Sequence, residues 1–166
     1  MQLDLREIIN IPGGKVDFDY SPDLSGLETG SVVEIKPDAR AVGEIRNIAG
    51  VLTFGAELTV TTVCECARCL KIMDNPVKLH VSATLSDDDG SDSDNPDMFY
   101  LDGNLADVDE ILVNAFVLNT EQRFVCSESC KGLCPMCGAD LNVEPCKCRE
   151  EIDPRLAVLG QLLENE

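Results

Sequence analysis

Six cysteines fall within 23 residues, in the run Cys126-SES-Cys130-KGL-Cys134-PM-Cys137-GADLNVEP-Cys146-K-Cys148, and no other feature restricts the fold of this chain so strongly. A thiol-dense segment has two ordinary structural uses: disulfides in an oxidising compartment, or metal ligation in a reducing one. The nine cysteines of the whole chain are an odd number and cannot pair completely. The opening MQLDLREIIN carries Asp4, Arg6 and Glu7 where an export signal needs an apolar run, so a cytoplasmic protein without membrane association is expected. Metal ligation is therefore the expected use of the thiols.

Within the run, Cys134-Pro135-Met136-Cys137-Gly138 has the form of a zinc knuckle, in which two thiolates two residues apart share one ion. Gly138 suits its turn because glycine takes positive φ without steric cost. A closed structural zinc site needs four ligands, so two more must come from the remaining cysteines. The expected set is Cys130, Cys134, Cys137 and Cys148, with Cys126 and Cys146 as alternates; a two-plus-two site using Cys126 and Cys130 is the second arrangement. A separate group, Cys64-Glu65-Cys66-Ala67-Arg68-Cys69, sits between two expected strands. Cys66 and Cys69 have metal or redox spacing and are read three ways: as a second or shared zinc site, as a thiol-exchange pair, or as two reduced thiols at a turn. The exchange reading lacks the βαβ setting of thioredoxin-like proteins.

The first half of the chain reads as strands. Val16, Phe18 and Tyr20 alternate with polar residues, and SVVEI, AVGEIRNI, VLTFGAELTVTTV and PVKLHVSATL are β-branched runs with short connections, the pattern of an antiparallel meander. The run LADVDEILVNAFVLN places Val108, Ile111, Leu112 and Ala115 at helical spacing, and IDPRLAVLGQLLEN opens on Asp153-Pro154 with a leucine stripe suited to docking. LDLREII fits neither period. The expected fold class is α+β: a mainly antiparallel β-sheet or partly closed barrel with flanking helices and a small C-terminal zinc-binding module. Residues 1–86 form its β-rich core, 87–104 an acidic flexible loop, and 105–166 the helix, cysteine module and docking helix of one compact domain.

Charge narrows the function classes. The formal net charge is −18, and residues 84–110 hold ten acids without a base, so extended contact with nucleic-acid phosphates has little basic surface to draw on. The acidic tract lacks the closing glutamate and 12-residue spacing of a calcium loop. Pro12-Gly13-Gly14 and Val42-Gly43 match no phosphate-binding glycine loop, and His80, the one histidine, has no neighbour marking it as a catalytic base. No catalytic residue, nucleotide site or small-molecule substrate is expected, and the chain reads as a non-enzyme.

Taken in order, CARCL at 66–70, CKGLCPMCGADLN at 130–142, CKC at 146–148 and DPRLAVLGQLL at 153–163 resemble the cysteine-rich branch of the YceD family of large-ribosomal-RNA accumulation proteins. The resemblance implies a role in synthesis, processing or stability of 23S rRNA during large-subunit biogenesis, with precursor RNA or a basic large-subunit ribosomal protein as partner. It also implies that Cys66, Arg68 and Cys69, which match the C-x-R-C motif, make the shared partner contact, since some relatives lack the later cysteines. Leu118-Asn119-Thr120 departs from a Leu-Pro stretch expected there. Two other readings remain: a zinc-ribbon adaptor or regulator outside the ribosome, and a C-x-x-C thiol oxidoreductase.

Overall fold

The structure, a computed structural model, describes residues 1–27, 30, 32–87 and 97–148. The helix expected over 153–163 and most of the acidic tract lie outside the described residues. In chain order the elements are β1 (Gln2–Asp4), β2 (Lys15–Tyr20), β3 (Val32–Ile35), β4 (Arg40–Ile48), β5 (Val51–Glu65), β6 (Ile72–Ser86), β7 (Met98–Tyr100), β8 (Leu105–Asp107) and α1 (Val108–Asn119).

Six strands form one sheet in the order β2-β4-β5-β6-β7, with β3 beside the far end of β5. All pairings are antiparallel except the short parallel contact of β7 with β6. The meander read from the β-branched runs is present for β4, β5 and β6, whereas β3, the first run, pairs with β5 instead of β4, whose other edge takes β2. LDLREII resolves into β1, paired with β8, followed by a turn that buries Leu5 and Ile8. Leu105–Asp107, expected at the start of a helix, is that strand β8. Asp107 then caps α1, its carboxylate accepting from the backbone N–H groups of Asp109 and Glu110.

The sheet is built on β5. Its even-numbered residues Leu52, Phe54, Leu58, Val60, Thr62 and Cys64 are buried, so a strict two-residue period aims one face at the core. Residue 66 continues that face, and Cys66 is fully buried. Phe18 of β2 stacks on Phe54 at 5.3 Å, and Val108, Ile111, Leu112 and Phe116 of α1 pack into the same cluster. Among the described residues the sheet is not closed into a barrel, because β2 and β7, at the two ends of the order, do not pair with each other. Helix α1 instead covers part of the open sheet's buried side with its apolar face. It is the one helix among the described residues, so the expectation of flanking helices is reduced to one.

Two turns fix the register. Ala49 and Gly50, with φ of 53° and 95°, join Ile48 to Val51 in the two-residue hairpin that matches strand twist. The buried Asn47 beside it donates to the carbonyls of Ile8 and Ile9 and accepts from Gly50 N–H, tying the N-terminal turn to the sheet. At the other end, β5 and β6 pair through Glu65↔Ile72, leaving only residues 66–71 as the connection. That connection is the C-x-R-C motif.

Candidate metal centre

The long β5–β6 hairpin carries Cys66-Ala67-Arg68-Cys69 at its tip. Cys66 N–H donates to the carbonyl of Lys71 at 2.9 Å, and Leu70 N–H donates back to the carbonyl of Cys66 at 2.9 Å. The later motif repeats this backbone: Cys134 N–H donates to the carbonyl of Ala139 at 2.8 Å, and Gly138 N–H to that of Cys134 at 2.9 Å. Both motifs are therefore the same knuckle. The fifth residue of each is left-handed, Leu70 at φ 60° and Gly138 at φ 73°. Leucine in that region carries Cβ strain that glycine avoids, and the Leu70 side chain is 56% exposed, so packing does not offset the strain. Gly138→Leu is expected to cost about 1–2 kcal/mol, roughly a tenfold loss of metal affinity, while Leu70→Gly costs none; chelator competition measures both.

After α1 the chain returns to the hairpin tip. Phe124 bridges to Cys66 in parallel, and its carbonyl accepts from Ala67 N–H at 2.8 Å. This contact delivers Cys126 and Cys130 to the first knuckle. Cys66, Cys69, Cys126 and Cys130 have their sulfurs within 4.8 Å of one another, and so do Cys134, Cys137, Cys146 and Cys148. Each group can hold one metal ion. The expected set of Cys130, Cys134, Cys137 and Cys148 is accordingly divided: Cys130 sits with Cys66, Cys69 and Cys126, whereas Cys146 joins the other three. Cys64, the ninth cysteine, is buried beside Thr62, with Thr62 Oγ1 3.3 Å from its sulfur, and belongs to neither group.

The donor geometry fits zinc. Sulfur separations are 4.0 Å for Cys66 and Cys130, 3.6 Å for Cys69 and Cys126, and 3.4 Å for Cys134 and Cys146. A tetrahedron of thiolates about 2.3 Å from zinc has edges of about 3.8 Å, whereas a disulfide needs about 2 Å. Electrostatics agree with ligation. The Cys66 thiol is held down at about 6 by the N–H of Cys126, with that of Arg68 assisting, and Cys134 is held at about 6 by the N–H groups of Cys137 and Met136. Cys126, facing Cys130, and Cys148, facing Cys137, are pushed up to about 12. Each group thus mixes ready thiolates with thiols that keep their protons until a cation arrives.

Arg68 is turned toward the cysteine-rich segment. Its guanidinium donates to the carbonyls of Glu128 and Cys130 at 3.1 and 2.8 Å, and its own carbonyl accepts from Leu133 N–H at 3.0 Å. Gly132 lies against it at φ 76°, where a Cβ would stand 2.8 Å from the Arg68 carbonyl oxygen. Asn142 is a residue the sequence did not single out. It lies inside the GADLN stretch, but nothing in composition or period distinguishes it from a turn asparagine. Its side-chain amide reaches Cys130 Sγ at 3.5 Å. His80 is exposed on β6 with Glu57 3.9 Å away, and among the described residues no helix is long and apolar enough to cross a membrane.

The fold and site define an open-sheet protein, eight of whose nine cysteines form two tetrathiol groups, one of them shared between the sheet and the later chain. The chain belongs to the YceD family: the family model described as large ribosomal RNA subunit accumulation protein YceD matches residues 54–163. Uncharacterized proteins of Mycobacterium tuberculosis (strain H37Rv) and Mycobacterium bovis are each 30% identical over 178 residues, spanning 98% of this chain and 81% of the relative. One from Mycobacterium leprae is 28% identical over 149 residues, or 85% of this chain and 64% of its own length. No solved structure matches the chain.

Proposed function

We propose that this chain is a non-enzymatic, cytoplasmic factor in the synthesis, processing or stability of 23S rRNA during large-subunit biogenesis, with structural zinc in its cysteine groups. The observation that carries this reading is the family match, which runs from β5 through both knuckles and is named for large ribosomal RNA accumulation. Zinc is supported by the all-thiolate donor sets and their near-tetrahedral spacing. The grouping of Cys66 and Cys69 with two further thiols favours ligation over dithiol exchange. Four thiolates around a divalent cation leave a net −2 at each site, added to a chain already at −18. A basic large-subunit ribosomal protein is therefore the better-matched partner than precursor RNA, particularly as the Arg68 guanidinium is engaged on two carbonyls.

The contact is assigned to the surface of the C-x-R-C turn, which Cys66, Arg68 and Cys69 shape from within. Leu70 supports this, as an exposed leucine kept in left-handed backbone where the second knuckle uses glycine. The test is recovery of tagged protein from cells at native salt, with RNA sequencing and protein identification. Large-subunit ribosomal protein or 23S precursor is expected with the intact chain and with Gly138→Ala, and is expected to be lost with Leu70→Asp. Recovery of neither component by the intact chain rejects the ribosomal reading; equal recovery by Leu70→Asp rejects the turn as the contact.

A further inference from the structure

Three residues, Lys131, Gly132 and Leu133, separate a cysteine of the first group from one of the second, and every one of them is bonded to a knuckle or its loop. Lys131 N–H donates to Asn142 Oδ1 at 2.8 Å, Gly132 accepts from Leu141 N–H at 3.0 Å, and Leu133 N–H donates to the Arg68 carbonyl. Asn142 belongs to the loop between Cys137 and Cys146, yet its Nδ2 points at Cys130 Sγ of the other group. Its orientation is settled by its partners: Oδ1 faces a backbone donor, so Nδ2 is the end presented to sulfur. Asp140 Oδ1 locks it there, accepting from Asn142 N–H at 2.8 Å and from Nδ2 at 2.7 Å. From the opposite side, Arg68 of the first knuckle holds the carbonyl of Cys130.

The first group is the better shielded: Cys66 and Cys130 are 0% and 4% exposed and Cys126 alone is exposed, whereas in the second Cys134 is buried but Cys137 and Cys148 are exposed. All four cysteines of the second group come from one 15-residue stretch, while those of the first join the hairpin tip to a segment about sixty residues later. We propose that the two groups are a linked pair of zinc sites in which Asn142 and Arg68 carry the linkage. The ion of the second group orders the loop that presents Asn142 to Cys130, and so retards release of the ion from the first. Outer hydrogen bonds of this kind change metal affinity by about 10–100-fold, and the linkage of the two equilibrium affinities is reciprocal. The inference rests on the zinc half of the proposed function and is independent of the ribosomal half.

The test is zinc release from the fully loaded chain, reduced, into excess chromophoric chelator. Two equivalents are expected, in two phases, the faster from the second group. Cys137→Ser/Cys148→Ser is expected to retain one equivalent, released about tenfold faster than the slow phase of the parent. Asn142→Ala leaves all eight cysteines in place and is expected to retain both ions while its slow phase accelerates to a similar degree. With cobalt(II) in place of zinc, the same substitution is expected to shift the sulfur-to-metal charge-transfer band, as removal of an N–H···S hydrogen bond raises the energy of the sulfur lone pairs. One equivalent in the parent, or a slow phase and cobalt spectrum unchanged in Asn142→Ala, overturns the proposal. Failure of the ribosomal recovery experiment leaves it standing.

Discussion

Metal-free protein, prepared with a strong chelator under reducing conditions, is expected to keep its sheet while residues 126–148 lose all protection from amide hydrogen exchange. The sheet has its own core, built on Phe54, Leu58, Ile45 and the buried face of α1. Between residues 120 and 148, by contrast, Phe124, Cys130 and Cys134 are the buried hydrophobic residues. That is too little apolar surface to offset the entropy of ordering such a stretch, at about 1–2 kcal/mol per residue. A structural zinc site contributes about 10–16 kcal/mol at neutral pH, enough to reverse the balance. Cys66→Ser and Cys130→Ser are expected to reproduce the effect for the first group. The pH dependence follows the thiols. Cys66 and Cys134 have thiol values lowered to about 6, so their thiolates persist above that pH and are lost as pH falls through it. Zinc uptake at neutral pH is expected to release protons from thiols such as Cys126 and Cys148, and to weaken progressively on acidification toward 6. Persistent protection of 126–148 in zinc-free protein would contradict the structural role of the metal.

The second large effect is in the core. Phe116→Ala is expected to destabilise the chain by about 3–5 kcal/mol, read as a lower midpoint in denaturant with little change in slope. Phe116 is fully buried near the end of α1, and its carbonyl accepts from both the N–H and the hydroxyl of Thr120, where the chain leaves the helix for the cysteine segment. Truncation therefore opens a cavity under the sheet and loosens the path that brings Phe124 to Cys66. A faster zinc off-rate from the first group is the accompanying sign. A stability within about 1 kcal/mol of the parent would show that α1 is not the lid of this core.

Much of the fold was legible because its signals are local. The two-residue period of β2, β4, β5 and β6 and the helical spacing of Val108, Ile111 and Leu112 are properties of adjacent residues, and they place the buried faces without tertiary information. Leu105–Asp107 escaped because a three-residue strand has no period of its own; it is held by β1, a partner about a hundred residues away. The same distinction runs through the metal centre. Cys134, Cys137 and Gly138 declare a knuckle by spacing and by the one residue suited to positive φ. The Cys66 to Leu70 knuckle has the same backbone, but its leucine conceals the turn.

Local pattern was enough to read a β-rich, acidic, thiol-dense chain and to pair Cys134 with Cys137 in one knuckle. It was not enough to say which thiols complete each group, which follows from how the chain folds back on itself. Spacing ranks ligands by closeness along the chain and so assigns Cys130 to the knuckle four residues away. In space, the β5–β6 register and the Phe124 bridge bring Cys130 within 4.0 Å of Cys66, while the turn at Gly132, pressed against Arg68, carries Cys134 into a separate group. Ligation depends on distances of a few ångströms between sulfurs, and for residues sixty positions apart those distances are set by strand pairing, which spacing along one segment does not encode.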